Sequence, residues 1–274
     1  MRRMWVMQIL LFFTPLGASA GEILYVKSNG DFQGRGHPGR YSAMNILDDD
    51  PSTVWCSRGT GKGAEIEVVF SDRVHIEKMS VATGNQQSDA TFKSFNRVRR
   101  MAISEGDMVH TVELEDKPGS QTLNFDPTLA TDRLVLKLKA GHRGSGKRHT
   151  CISDIVFYKG SRPLNGKQFK SHVKKNKKNL GFLDTWVSGP DYARDRELIF
   201  GVAGTYRFLY IPNDPQETSL RKTGAWRMQG KNPVLRAGDK WAPVKVKRDD
   251  AGRVIKLKIE EGKMAGVYVR RRQE

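Results

Sequence analysis

Between residues 60 and 160 the chain alternates apolar and polar positions with a period of two. Ile66, Val68 and Phe70 alternate with Glu65 and Glu67, and Leu134, Leu136 and Leu138 alternate with Arg133, Lys137 and Lys139. Ile155 and Phe157 alternate with Asp154 and Val156. A period of two is that of strands with one face on a core. Turn-forming clusters separate the runs at Ser71-Asp72, Gly84-Asn85, Gly106-Asp107, Lys117-Pro118-Gly119 and Gly141 to Gly146. No amphipathic stretch of helical length interrupts them, so the pattern predicts a β-sandwich or jelly roll.

A second β-like pattern begins near residue 183. Trp186 precedes apolar runs at Leu198 to Phe200, Thr205 to Tyr210, Gly224 to Met228, Trp241 to Val246, Val254 to Ile259 and Val267 to Val269. Tyr206, Phe208 and Tyr210 share one face, which predicts core packing rather than a ligand site. Between the two patterns, residues 161–182 hold Arg162, Lys167, Lys170, Lys174, Lys175, Lys177 and Lys178 without an acid. A self-repelling run of this kind predicts a solvated basic linker or an electrostatic tether.

The first twenty residues have another character. Arg2 and Arg3 precede the apolar run Met4 to Leu16, and Ala18-Ser19-Ala20 supplies the small residues of a signal-peptidase site. The expected organisation is a signal peptide over 1–20, a β-sandwich over 21–160, the linker over 161–182 and a small antiparallel β-barrel over 183–274. Localisation is then secreted or periplasmic, with no transmembrane segment once the leader is removed. In that oxidising setting Cys56 and Cys151, the two cysteines of the chain, are more readily a disulfide than a metal site or catalytic thiol. Two free buried thiols are the alternative.

Lys and Arg number 47 against 30 Asp and Glu, a net charge of +17 that favours anionic partners without choosing among envelope lipids, acidic glycans and nucleic acid. Catalytic signatures are missing: the six histidines show no H-x-x-x-H or H-E-x-x-H spacing, and no G-x-S-x-G elbow occurs. Gly59 to Gly63 imitates a phosphate cradle but lacks the Ser or Thr that follows one, and it reads as a turn entering a strand.

One ordered series of short motifs carries a resemblance. Tyr41, Asn45, Leu47-Asp48-Asp49-Asp50, Thr53 and Trp55 are followed by Gly61 to Ile66, Gly84, Phe95-Asn96-Arg97-Val98 and Thr150 to Ile155. Over residues 22–160 this order resembles the discoidin, or coagulation-factor type C, jelly-roll superfamily. It is most similar to the glycan-binding domain appended to bacterial NAD-glycohydrolase toxins. The resemblance implies a galactose-binding-domain-like sandwich that recognises glycans through loops at one end. Those loops are Ser28 to Arg40, Gln86 to Phe95 and Ala140 to His149, and their candidate ligand residues are Phe32, Arg35, His37, Phe92, Phe95, His142, Arg143 and Arg148, with Lys147 and His149 beside them.

Relatives in the superfamily also bind a structural calcium, which would fall here on Asp48, Thr53 and Asp154 with Asp50 as a further ligand. Asp49 stands where relatives carry Gly, and Asp154 where they carry the longer Glu, so a metal-free polar turn is preferred. The Gly-Thr-Tyr and Gly-x-Trp strands of the second pattern resemble small lipocalin-like or META-type barrels. The expected function is therefore an exported, non-catalytic protein that binds a carbohydrate or anionic cell-envelope component, with no cofactor beyond that calcium. Nucleic acid is an unfavoured partner. A polyanion binder driven by charge alone and a secreted hydrolase with its site spread over loops remain the alternatives.

Overall fold

The computed structural model describes residues 22–32, 40–50, 52–176, 181–188, 195–212, 214, 216–260 and 262–270. The predicted leader and the candidate residues Arg35 and His37 lie outside them. The first half of the chain forms β1 (Ile23–Ser28), β2 (Trp55–Cys56), β3 (Glu65–Thr83), α1 (Asp89–Ser94), β4 (Asn96–Glu105), β5 (Met108–Glu113), β6 (Gln121–His142) and β7 (Thr150–Lys159). It ends in β8 (Arg162–Pro163) and α2 (Lys167–Lys175). The strands follow the order β1-β3-β6-β4-β7-β2, with β5 added to β4 and β8 to β7.

Two long strands shape this sandwich. Ile66 to Val69 of β3 pair with β1 and β6, whereas Lys78 to Thr83 pair with β7. Ser71-Asp72, expected to end a strand, instead lies inside β3 at a register shift between Val69 and Val74. There the Ser71 N–H donates to the Glu22 carbonyl at 2.8 Å. An irregularity of this kind bends a strand and lets it continue around the core, which a turn would not allow. The core holds Trp55, Phe70, Phe157, Ile66 and Leu136, all fully buried. The Trp55 indole N–H is satisfied by Asp31 Oδ1 at 2.7 Å.

The second half consists of β9 (Thr185–Ser188), β10 (Arg196–Phe200), β11 (Thr205–Tyr210), β12 (Leu220–Gln229), β13 (Asn232–Ala237), β14 (Lys240–Pro243), β15 (Lys245–Arg248), β16 (Val254–Ile259) and β17 (Gly266–Arg270). All neighbours are antiparallel, in the order β14-β13-β12-β11-β10-β9-β17-β16-β15. The two ends of that order, β14 and β15, are separated in sequence by Val244 alone, so the sheet curls towards closure as a small barrel. Its interior carries Trp186, Phe200, Phe208, Trp226 and Tyr268. Phe200 meets Trp226 edge to face at 5.1 Å.

Residues 161–182, expected as a bare solvated linker, carry β8 and α2. Phe169 and Val173 of α2, four residues apart and so on one helical face, turn towards the core, while Lys167, Lys174 and Lys175 remain outside. Phe182 is buried among barrel aromatics, 6.3 Å from Phe200 and 6.4 Å from Trp226. Sandwich and barrel share one continuous apolar cluster. Direct backbone bonding joins them as well, from the Val202 N–H to the Leu24 carbonyl at 2.7 Å.

Candidate functional site

The short helix α1 begins at a capping box in which the Ser88 hydroxyl accepts from the Thr91 N–H and the Thr91 hydroxyl accepts from the Ser88 N–H. This fixes the segment leading to Phe92. Arg97, buried at the start of β4, then ties the neighbouring loops together. Its Nε and Nη2 donate to Asp116 at 2.8 and 2.7 Å, and its Nη1 donates to the Phe92 and Phe95 carbonyls at 3.3 and 2.9 Å. Nη2 also donates to the Arg143 carbonyl at 3.2 Å. With these contacts the guanidinium fork is fully engaged. The hydrogen bonds from Arg97 hold the Asp116 carboxyl below the usual range.

Around this hub opens a groove of about 410 Å³ lined by Phe92, Lys93, Arg97, Asp116, Arg143 and Ser145. The Arg97 guanidinium lies 5.3 Å from the Phe92 ring centre. Gly84 lies beneath both: a Cβ there would come within 2.5 Å of Arg97 Cγ and 3.0 Å of the Phe92 ring, and its φ of +84° is costly for any other residue. His142 supports Asp116 from behind, with Nε2 2.9 Å from the Leu114 carbonyl and Nδ1 4.0 Å from Asp116. Asn96 anchors the third loop, accepting from the Gly144 N–H at 2.8 Å and donating to the Arg148 carbonyl at 3.0 Å.

Of the residues expected to bind ligand, Phe92 and Arg143 therefore line one groove and His142 braces it. Arg148 is exposed nearby on the anchored loop. Phe32 and Phe95 lie elsewhere, in a cluster with Val54 around the Cys56–Cys151 disulfide. Phe32 stacks on His149 at 3.8 Å, and His149 Nδ1 is 2.9 Å from the Ser57 carbonyl. Both aromatic side chains support the loops from inside. Lys93 and Asp116 were not singled out by sequence reasoning, since an acid in a Glu-Asp-Lys-Pro-Gly turn announces only a turn.

The acidic turn before Trp55 is closed on itself. Thr53 Oγ1 contacts both Asp48 carboxylate oxygens at 3.0 and 3.1 Å, and Asp50 accepts from the Ser52 N–H and hydroxyl. The second Asp50 oxygen is taken by the Lys170 ammonium of α2. Asp154 accepts from the Asp49 N–H at 3.3 Å. Burial pushes the Asp48 carboxyl up to about 6 and that of Asp154 up to about 7, with repulsion from Asp49 and Asp48 adding to the latter. Among the described residues no group of three or more His, Cys, Asp or Glu side chains is arranged to hold a metal. With Lys170 supplying the cation at Asp50, the residues present do not fit the calcium of the superfamily.

Residues 23–158 match the family model described as NAD glycohydrolase translocation F5/8 type C domain. Similar solved structures include the family 32 CBM of Clostridium perfringens NanJ in complex with galactose, at 12% identity, 51% of this chain, 99% of that chain and a TM-score of 0.38. The CBM32-1 and CBM32-2 domains of Clostridium perfringens ZmpB in complex with GalNAc are 19% identical over 50% of this chain and 33% of that one, with a TM-score of 0.40. No curated protein matches the chain.

Proposed function

We propose that this protein is an exported, non-catalytic carbohydrate-binding protein whose glycan site is the groove between α1 and the Gly141 to Gly146 loop, a reading supported by the match of residues 23–158 to the NAD glycohydrolase translocation F5/8 type C domain model. The observation that carries the reading is the combination of the Phe92 ring with Arg143, Lys93 and Ser145 in one open groove, over a floor already fixed by Arg97 and Asp116. An aromatic ring suits the C–H face of a sugar, and flanking polar groups take its hydroxyl and acidic oxygens. Arg97 and Asp116 are engaged with each other and with backbone carbonyls, so they position the loops rather than donate or accept protons in a reaction. Export is supported by the basic start, apolar run and small-residue site of the first twenty residues.

The test is a glycan array followed by titration of its best ligand against the full chain and against Phe92→Ala and Arg143→Ala. Both substitutions alter groove-lining side chains, so each is expected to weaken binding roughly tenfold while the melting temperature changes little. Unchanged affinity in both variants would place the site elsewhere.

A further inference from the structure

Strand alternation along β15, β16 and β17 turns Val246, Leu257 and Tyr268 towards the barrel interior. The residues between them form two rows on the outer face. Lys245 lies opposite Lys258 and Lys258 opposite Val267; Lys247 lies opposite Lys256 and Lys256 opposite Val269. Each row therefore reads Lys-Lys-Val across three strands. Directly opposed like charges weaken a sheet. In the first row that repulsion is relieved, because Glu260 accepts from Lys245 at 2.8 Å and lies 3.2 Å from Lys258. In the second row Lys247 and Lys256 have no ion-pair partner among the described residues.

Beside this uncompensated pair the surface is apolar. Val267 and Val269 are 45% and 44% exposed, and Ile255, next to Lys256 in β16, is 40% exposed. These are three of the six large hydrophobic side chains exposed among the described residues. Neither row carries an aromatic ring to stack on a sugar or base, nor an arginine fork to hold one phosphate or carboxylate in two places. A soluble polyanion would engage the ammonium groups but leave the aliphatic side chains in water.

We propose that the outer face of β15–β17 is a docking surface for an anionic phospholipid bilayer. Lysine ammonium groups reach headgroup phosphates on flexible stems, and the adjoining Val267, Val269 and Ile255 enter the boundary between headgroups and acyl chains. The partner is thus selected by charge and apolar contact together. This face lies on the opposite sheet system from the glycan groove and works without it.

The experiment is flotation of the full chain with phosphatidylcholine vesicles, alone or containing about one-third phosphatidylglycerol. Binding is expected only with the anionic vesicles, and Lys247→Glu with Lys256→Glu is expected to weaken it at least about tenfold. Lys247→Gln with Lys256→Gln relieves the cross-strand repulsion, so this variant should melt no lower than the original protein while still losing vesicle binding. Val267→Ser with Val269→Ser should lower vesicle affinity but leave affinity for dextran sulfate, a soluble polyanion, unchanged. Equal binding to uncharged vesicles, or full binding by either lysine variant, would overturn the proposal. Vesicle binding untouched by the valine substitutions would likewise overturn it, in favour of a charge-driven polyanion surface. Phe92→Ala should not alter flotation, so failure here and failure of the glycan reading are separable.

Discussion

The Tyr25 hydroxyl lies 2.8 Å from the Thr185 hydroxyl, both side chains buried, and the pair joins β1 of the sandwich to β9 of the barrel. Tyr25 also donates to Glu67 at 3.1 Å, and Glu67 is paired with Arg133. Nearby, Asp184 accepts from Lys27 at 2.6 Å and from Arg270 at 2.7 Å, extending the polar contact across the same boundary. Buried polar groups tolerate this only while each has a partner.

Tyr25→Phe removes one hydroxyl and leaves Thr185 and Glu67 short of a partner inside the protein. The expected cost is about 1–3 kcal/mol of unfolding free energy. Because the apolar cluster runs through both halves, sandwich and barrel should unfold in one transition, with fluorescence and far-UV signals coinciding in urea. Two separated transitions in the original protein would contradict the shared core.

Cys56 and Cys151 face each other in the β2–β7 pairing, 4.1 Å apart at Cα, and their bridge closes a loop of 95 residues. Constraint of the unfolded chain by a loop of this size is worth about 4–5 kcal/mol. Cys56→Ser with Cys151→Ser is therefore expected to shift the urea midpoint well below that of the oxidised protein. The bridge also packs beside Phe95 and Phe32, so the double variant should loosen the loops around His149, seen as faster amide exchange there. A midpoint equal to that of the bridged protein would show that the crosslink contributes nothing.

The disulfide was legible because each cysteine stood in a strand-like motif, with Trp55 and Ile152 beside them as register partners. The sandwich strands were legible for the same reason, a clean period of two. α2 was not, because its apolar face is only Phe169 and Val173 amid lysines, and charge density masks so thin a stripe. Ser71 misled in the opposite way, since turn-forming residues also occur where a long strand bends. Arg207 shows a deeper limit. It lies between Tyr206 and Phe208, on the face opposite theirs, and is nevertheless 2% exposed and donates to the Phe70 carbonyl and Asp132, each at 2.8 Å. Alternation identifies the face turned to a strand's own core; it carries no sign that another layer covers the second face. The sequence marked out the segments Gln86 to Phe95 and Ala140 to His149 that border the groove and allowed Arg97 a salt bridge, but not its partner, because the pairing with Asp116 is made by folding across 19 residues.

Asp48 and Asp154 are pushed up to about 6 and about 7, chiefly by burial, against about 3.9 for a carboxyl in the unfolded chain. The folded protein therefore binds these protons more tightly than the unfolded chain does. Their contribution to stability is fully present below pH 4 and is lost as pH rises through 6 and 7. Glu67 and Asp116 are shifted downward and titrate below this window, so they do not offset the effect between pH 5 and 8. The overall positive charge acts the other way at acid pH, and comparison with Asp154→Asn removes that shared background. The asparagine keeps an oxygen able to accept from the Asp49 N–H but carries no charge. Its urea midpoint is expected to exceed that of the original protein by a small margin at pH 5 and by a larger one at pH 8. A difference that is the same at both pH values would show that the Asp154 carboxyl does not titrate in this range.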